Sequence, residues 1–265
     1  MTTAELSTPP DSLDPSALTQ GYLEAVTALM ARIQSEETSA LAAGAQILAD
    51  QIAADRLVHI YGPGGHSNLG AQEVFFRAGG LMHISAILDE GTLLSSGALR
   101  SMAIERLPGY GRIVISDHGI GAQDVLILVN AYGMNAALID AALEAKARGA
   151  KLIGVSSHAH ANATPLDHPA RHPTKKNLHD LVDVAIDCKV PVGDALVSIE
   201  GMIQPIAAVS TFANAFALNS LIIHTVSRLL AMGIEPPVWR SGNAPDGDQL
   251  NARFIDRFRG RVRVL

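Results

Sequence analysis

Short apolar runs alternate along this chain with longer stretches in which apolar residues recur every three or four positions. The short runs, rich in β-branched residues, lie at 57–61, 81–88, 113–115, 124–129, 152–155 and 184–187. Near-continuous apolar strands separated by helices are typical of a parallel sheet that is covered on both faces. The pattern therefore predicts an α/β fold, preceded by a helical region at about residues 18–54.

One strand–helix–strand unit is complete in the sequence. It begins with a strand at 124–129, continues through a turn and a helix that ends before Gly149, and closes with a strand at 151–155. Ligands of open parallel sheets bind outside the carboxyl ends of the strands. The three turns that we expect to form one pocket there lie at 62–68, 130–135 and 156–164.

The first of these turns is rich in glycine. It reads Gly62-Pro63-Gly64-Gly65-His66-Ser67-Asn68-Leu69-Gly70 and precedes a predicted helix. Such a turn directs backbone N–H groups and the positive end of a helix dipole at one point, so it can hold an anion or a polyhydroxylated ligand. A nicotinamide dinucleotide is disfavoured, because Ser67 replaces the third glycine of the dinucleotide fingerprint.

The longest apolar stretch is 201–231, in which Arg228 is the only residue of fixed charge. Polar residues such as Asn214 and Asn219 interrupt it, and a lipid environment would leave them without hydrogen-bond partners. We predict a central buried helix, kinked at Pro205, rather than a membrane span. An apolar helix of this length also favours a homodimer or homotetramer over a monomer.

The two ends of the chain differ in character. Residues 1–17 are rich in Ser, Thr, Pro and Asp and are predicted to be a disordered lead-in. Residues 236–265 carry aromatic anchors, among them Phe254 and Phe258, and are predicted to be an ordered tail with a short helix. The remaining 18–265 is expected to form a single domain.

Composition narrows the functional classes. The 265 residues include 20 Lys and Arg against 26 Asp and Glu, a formal charge of −6, so neither nucleic acid nor an anionic membrane surface is an expected partner. The lone cysteine, Cys188, excludes an internal disulfide and a multi-cysteine metal site, and fits a reducing cytoplasm. We expect a cytoplasmic protein.

Several segments together resemble one family. They are Gly62 to Gly80, Gly109-Tyr110-Gly111, Asp124 to Ala137, Arg171 to Lys176, Pro191 to Ala195 and Ser241 to Asn251. In these segments the chain resembles the sugar isomerase (SIS) domain family, in its single-domain, phosphosugar-isomerase-like branch. The resemblance covers most of the chain and implies a flavodoxin-like αβα sandwich with a five-stranded parallel sheet. It also implies homo-oligomers, no cofactor, and a sugar or sugar phosphate bound at the strand ends.

The second turn departs from the family. The usual Ser-x-Ser-Gly-x-Thr pattern is replaced by Asn130-Ala131-Tyr132-Gly133-Met134-Asn135, which has no Ser or Thr hydroxyl. Backbone N–H groups and the amides of Asn130 and Asn135 can still donate hydrogen bonds. Two interpretations stay open. Either Ser67, Ser156 and Ser157 hold a phosphate, or the substrate is a free sugar or a sugar acid.

The predicted acid–base residues are Glu73, His66 and His224. Glu73 resembles the acid of family isomerases that carries a proton between adjacent carbons, and a surface ion pair with Arg77 is its alternative role. His66 could open a sugar ring or cap its own turn. His224 resembles the family's catalytic histidine, with a role inside the core or an interface as its alternative.

Other polar residues are assigned to binding. The cluster at His158, His160, His168, His172 and His179 lacks helical His-x-x-x-His spacing beside an acid, so no metal is predicted. Asp194 is expected mainly to cap the long helix. Arg171, His172 and Lys176 are expected to face the ligand of this subunit or of a neighbour. The full predicted binding set is Gly64, Gly65, Ser67, Asn68, Asn130, Tyr132, Gly133, Asn135, Ser156, Ser157, His158, Arg171, His172, Lys176 and Asp194.

The resemblance and these residues lead to one principal functional prediction, an aldose–ketose isomerase that acts on a phosphorylated or otherwise acidic sugar through an enediol. Two alternatives remain. One is a non-catalytic sugar-phosphate sensor, and the other is a lyase or etherase on the same fold.

Overall fold

A five-stranded parallel sheet lies at the centre of the computed structural model, which describes residues 13–265. The strand order is β2-β1-β3-β4-β5. The strands are β1 (Val58–Tyr61), β2 (Ile84–Ile87), β3 (Val125–Val129), β4 (Lys151–Ser156) and β5 (Val184–Asp187). Helices cover both faces, which confirms the predicted αβα sandwich.

Nine helices are found among the described residues, together with two short 3₁₀ turns at 94–96 and 178–180. The helices are α1 (Pro15–Glu36), α2 (Thr38–Ala53), α3 (Ser67–Val74), α4 (Ala98–Glu105), α5 (Tyr110–Asp117), α6 (Ala136–Ala147), α7 (His158–Ala163), α8 (Ser210–Ala231) and α9 (Gly247–Phe258). A small antiparallel hairpin, β6 (Ala195–Val197) and β7 (Ile206–Ala208), precedes α8. No helix among residues 13–265 has the length and apolar character to span a bilayer.

Two cores form because successive residues of a strand face opposite sides of the sheet. Val125, Ile127 and Val129 of β3 pack toward α1, α2, α3 and α8. Leu126 and Leu128 of the same strand pack toward α5 and α6. Burial on both faces explains why β3 reads as an uninterrupted apolar run.

Two of the predicted elements are wrong. The run 113–115 is part of α5, where Val114 and Ile115 face the core and Ile113 is exposed. Three apolar residues are too few for periodicity to separate helix from strand. The apolar stretch 201–231 is helical only from Ser210, so Pro205 lies in the hairpin and kinks no helix.

The predicted helical region at 18–54 is confirmed, but it is broken at Glu37 into α1 and α2. A partly buried ionic cluster connects the break between the helices to the end of β5. The Lys189 ammonium lies 2.6 Å from Glu37, 3.1 Å from Glu36 and 3.2 Å from Asp187. Burial alone would lower the pKa of Lys189, but the hydrogen bonds to Glu37 and Glu36, together with the charge of Asp187, raise the pKa.

The N-terminal boundary of α1 lies inside the predicted lead-in. The helix begins at Pro15, and the Asp14 side chain caps it by accepting a hydrogen bond from the Ser16 N–H. Residues 1–12, the greater part of the predicted lead-in, lie outside the described residues.

The C-terminal tail packs against the amino ends of β1 and β2. Trp239 and Phe258 are buried with Met82, as the aromatic anchors predict. The carboxylate of Asp55 accepts hydrogen bonds from Arg257 (2.7 Å) and Arg261 (3.3 Å) and lies 3.0 Å from Nε2 of His83.

The Asp55 cluster makes the attachment of the tail sensitive to acid. Burial alone would raise the pKa of Asp55, but the hydrogen bonds from His83, Arg257 and Arg261 lower it to about 2. A carboxyl whose pKa is lowered by folding stabilises the protein above its ordinary pKa, and this stability is lost as the pH falls toward 2.

We expect Asp55→Asn to lower the free energy of unfolding by about 1 kcal/mol at pH 7, since solvent screens a half-exposed cluster. Urea unfolding at pH 7 and pH 2.5 measures this, and the difference should shrink at the lower pH. Asp117→Asn is the matched control, because Asp117 makes a single ion pair, with Arg263, at an exposed position. Equal losses in both variants would contradict the prediction.

Candidate functional site

A cavity of about 90 Å³ lies at the carboxyl ends of β1 and β3. In the sheet order β2-β1-β3, the chain runs from β1 to β2 on one side and then crosses to β3 on the other side of β1, so this is the point at which the strand order reverses. The cavity is lined by Gly64, Gly65, His66, Ser67, Glu105, Asn130, Ala131, Tyr132, Asp194, Ser210 and Asn214.

The glycine-rich turn forms one wall because its backbone is packed too tightly for side chains. A Cβ atom on residue 62 would lie 2.1 Å from the carbonyl oxygen of Ser67. Gly64 has φ +123°, a conformation that L side chains rarely adopt. The tight turn brings β1 directly into α3, which begins at Ser67 and is close to the cavity.

Glu105, the last residue of α4, lies between the first and second turns. Its Oε1 accepts hydrogen bonds from Nδ2 of Asn135 (2.6 Å) and Nδ2 of Asn130 (3.1 Å). The carboxylate also lies directly over Gly64, where a Cβ atom would be 2.7 Å from Oε1. Burial raises the pKa of Glu105 against the opposing effect of these hydrogen bonds.

Asn130 joins the first two turns. Its Oδ1 accepts from the backbone N–H groups of Tyr132 (3.0 Å) and Gly133 (3.1 Å), which forms an Asx-type turn. Its Nδ2 also lies 3.0 Å from both the Pro63 carbonyl oxygen and Ser67 Oγ. The second turn is therefore held closed by its own first residue.

Asp194 forms the opposite wall at the N-terminus of α8. Its Oδ1 accepts from the N–H groups of Val209 (3.0 Å) and Ser210 (2.8 Å), and its Oδ2 accepts from Ser210 Oγ (2.7 Å). These bonds confirm that Asp194 caps the long helix, from a position sixteen residues before Ser210 in the chain.

The structure brings many of the predicted site residues together. Those that line the cavity are Gly64, Gly65, His66, Ser67, Asn130, Tyr132 and Asp194. Asn135 and Gly133 contact lining residues: Asn135 donates a hydrogen bond to Glu105, and the N–H of Gly133 donates to Asn130. Asn68 supports the first turn, since its Nδ2 donates to the Gly64 carbonyl oxygen at 2.9 Å.

Glu73 and His224 do not line this cavity. Glu73 Oε2 pairs with Arg77 at 3.1 Å, and its Oε1 accepts from Nδ2 of Asn219 at 3.1 Å. His224 lies fourteen residues beyond Ser210, about 21 Å along α8 at the helical rise per residue. Within one chain, both residues are outside the site that the turns form.

The third turn also contributes less than the sequence predicts. Ser157 donates to the Val190 carbonyl oxygen (2.6 Å), and Ser156 packs beneath Gly133. The N–H of His158 donates to Asp187 Oδ1 (3.1 Å). The bonds of Ser157 and His158 hold the ends of β4 and β5 together, and none of these three residues lines the cavity.

The basic residues predicted to face the ligand, in the loop 164–177, do not line the cavity. Arg171 is buried and donates to the carbonyl oxygens of Thr164 and Pro165, so it does not face the cavity. His172 Nε2 lies 3.0 Å from Asp140 Oδ1, and Lys176 is exposed. A loop of this length has many carbonyl groups that need hydrogen-bond donors, which explains why Arg171 binds these groups instead of a ligand.

Sequence reasoning missed Glu105, Ser210 and Asn214. Each lies in a helix, far along the chain from the turns that it meets. Among residues 13–265, no three His, Cys, Asp or Glu side chains are grouped as metal ligands would be.

Comparisons with known proteins agree with this fold. The SIS domain family matches residues 21–157. The UPF0309 protein of Halalkalibacterium halodurans is 34% identical over 92% of this chain and 96% of its own length. The UPF0309 protein of Streptomyces griseus is 33% identical, over 93% of this chain and 97% of that protein.

Two solved structures are similar in fold. The phosphoheptose isomerase of Neisseria gonorrhoeae has a TM-score of 0.55 and 14% identity, over 81% of this chain and 100% of that chain. The phosphoheptose isomerase of Francisella tularensis has a TM-score of 0.52 and 13% identity, with the same coverage. At these identities, the likeness concerns the fold.

Proposed function

The chain belongs to the SIS domain family, and we propose that it is an aldose–ketose isomerase that uses the cavity between its first two turns. The observation that carries the proposal is the partly buried carboxylate of Glu105, with a raised pKa, at the point where the strand order reverses. Ligands bind at such points in open α/β sheets, and perturbed carboxyl groups are concentrated in catalytic sites.

The chemistry needs one group that moves a proton between two adjacent carbons. The Glu105 carboxylate would take the proton from the carbon next to the sugar carbonyl, and the electron pair left behind would form the double bond of the enediol while the carbonyl oxygen gains a proton from water. The same carboxyl would then return its proton to the former carbonyl carbon, as the hydroxyl on the adjacent carbon loses its proton to water and becomes the new carbonyl. A raised pKa suits both steps, because it makes the carboxylate a stronger base than an ordinary glutamate while the protonated group can still return its proton to carbon.

Other lining residues have roles that fit this reaction. The His66 ring, exposed at the mouth, would assist ring opening. Ser67 and Tyr132 would bind sugar hydroxyls. Burial raises the pKa of Tyr132, so its phenol stays protonated and able to donate a hydrogen bond.

The predicted roles of Glu73 and His224 take second place in this proposal. Glu73 has a local ion-pair partner, and His224 is about 21 Å along α8 from the cavity. Neither residue touches the substrate in this proposal. Exposed apolar residues on α8, such as Ile223 and Leu230, support a homo-oligomer.

Proton NMR in deuterated water tests the function. Purified protein is incubated with a panel of aldoses, ketoses and their phosphate esters, and deuterium is sought at the carbon next to the carbonyl. We expect deuterium at that carbon and interconversion of aldose and ketose. Binding without exchange would favour the sensor alternative, and release of a second product would favour a lyase or etherase.

A further inference from the structure

We propose that residues 93–108, which contain α4 and Glu105, form a lid that swings outward to admit a ligand to the cavity. That the ligand is a sugar rests on the proposed function, whereas the movement itself is argued from the size of the cavity and from the packing of its walls.

The cavity is too small for the ligand that the proposed function needs. Its volume is about 90 Å³, whereas pockets that bind small molecules usually measure about 300 Å³ or more. A closed protein cavity of about 150 Å³ is filled by one molecule of benzene, and a sugar is larger than benzene. At least one wall therefore has to move before a sugar can enter.

Three of the walls are fixed by the fold. The first turn is packed against its own backbone at Gly62. The second turn is held from outside, because the Gly133 carbonyl oxygen accepts a hydrogen bond from the N–H of buried Leu178 at 2.7 Å. Asp194 is bonded to the first residues of α8, and α8 packs in the main core. Moving any of these walls would disrupt the buried part of the fold.

The lid is the remaining wall, and it is only lightly attached. Among residues 93–108, Ser101 is the single buried residue. Three large apolar side chains of the lid, Leu99, Met102 and Leu107, are exposed to solvent. A segment that buries so little apolar surface opens at a much lower free-energy cost than the whole domain.

The backbone of the lid also has places at which it can bend. Gly97, before α4, has φ +112°, and Gly109, after it, has φ +92°. Nothing lies within 4 Å of a Cβ atom at Gly109, so glycine is required there for its backbone conformation and not for space. A few residues at the ends of a moving element absorb its dihedral changes. Asp140 accepts a hydrogen bond from the Gly109 N–H, which keeps α5 in place while α4 moves.

Two contacts hold the lid against the first turn. Half-buried Leu94 lies on Gly65, where a Cβ atom would be 2.3 Å from Cδ2 of the leucine. Glu105 lies over Gly64 and accepts a hydrogen bond from Nδ2 of Asn135 at 2.6 Å. A ligand that enters between the lid and the turn therefore meets the Glu105 carboxylate as it displaces the lid. The movement that admits the ligand would also bring the proposed base against it.

A thiol placed behind the lid tests the movement. Asn214 lines the cavity and is 4% exposed, so Asn214→Cys puts a thiol there. The thiol reagent dithiobis(nitrobenzoate) is larger than the cavity and reaches this position only when the lid is open. The natural Cys188 is fully buried away from the cavity and reports global unfolding. We expect the introduced thiol to react at least about tenfold faster than Cys188, and at least about tenfold more slowly than a free thiol.

Two variants in the Asn214→Cys background identify the moving part. Leu94→Ala removes the contact with Gly65, so the lid should open more often and the labelling rate should rise about fivefold. Leu99→Ala is the matched control, because Leu99 is 78% exposed on α4, and it should leave the rate unchanged. The reaction of Cys188 shows in each variant that the domain stays folded. Equal rates in the two variants, labelling as slow as that of Cys188, or labelling as fast as that of a free thiol would overturn the proposal.

The outcome is separable from that of the proposed function, because the labelling needs neither a sugar nor turnover. Labelling that is independent of Leu94, together with deuterium exchange on a sugar, would overturn the inference and leave the isomerase standing. Opening of the lid without exchange on any sugar would support the inference and count against the isomerase.

Discussion

Glu105→Gln is expected to lower kcat by a factor of about 100 to 10,000, with little change in KM, once the sugar is identified. Glutamine fills the same space and can accept from the amides of Asn130 and Asn135, but it cannot take a proton from carbon. The loss should therefore fall on the chemical step, and steady-state kinetics of the isomerisation measures it directly.

A measurement of thermal stability checks that the loss of activity arises in the chemical step and not from unfolding. Burial raises the pKa of Glu105 in the folded protein, so its ionisation weakens folding as the pH rises through the ordinary range of a carboxyl toward the raised pKa. Removing the charge should leave Tm at pH 7 unchanged or higher. Glu73→Gln serves as the matched control and should retain turnover. Full activity of Glu105→Gln, or a comparable loss in Glu73→Gln, would contradict the assignment.

Gly111→Ala is expected to destabilise the protein by about 3 kcal/mol or more. A Cβ atom at this position in α5 would lie 1.9 Å from the Ala137 carbonyl oxygen and 2.8 Å from the Ala141 backbone nitrogen. Both atoms belong to the backbone of α6, so no side-chain rotation can make room. Separating α5 from α6 would also disturb Asn135, which precedes α6 and holds Glu105.

The same substitution elsewhere isolates the steric cause. Gly21 is exposed in α1, and nothing lies within 4 Å of a Cβ atom there. Gly21→Ala should raise the free energy of unfolding by about 0.5–1 kcal/mol through helix propensity. Urea unfolding compares the two variants with wild type. A loss below about 1 kcal/mol in Gly111→Ala would mean that the helices move apart easily, against their close packing.

The sheet and its ligand-facing turns could be predicted because their signals are local. The apolar run in β3 is continuous since both faces are buried, and Gly149 ends α6 with φ +84°. A strand followed directly by several glycines predicts a tight turn, because glycine adopts backbone conformations that other residues avoid. Seven of the predicted site residues, namely His66 and six members of the predicted binding set, line one cavity as a result.

Glu105 could not be found in this way because its position depends on distant packing. It ends an eight-residue helix, and its partners Asn130 and Asn135 follow 25 and 30 residues later. No rule of sequence spacing predicts that these three residues come together. Arg171 shows the opposite case, since a basic residue in a predicted binding loop is used to satisfy carbonyl groups of that loop.

The central claim is that the reaction occurs between the first two turns, and a crystal structure with the bound sugar tests it most directly. The account predicts that the carbon next to the carbonyl lies within about 3.5 Å of Oε2 of Glu105, the separation of reacting atoms before a transfer. Its hydroxyls should contact Ser67 and Asn214. A sugar bound against Glu73 or His224 instead, with the cavity at Glu105 empty, would contradict the account.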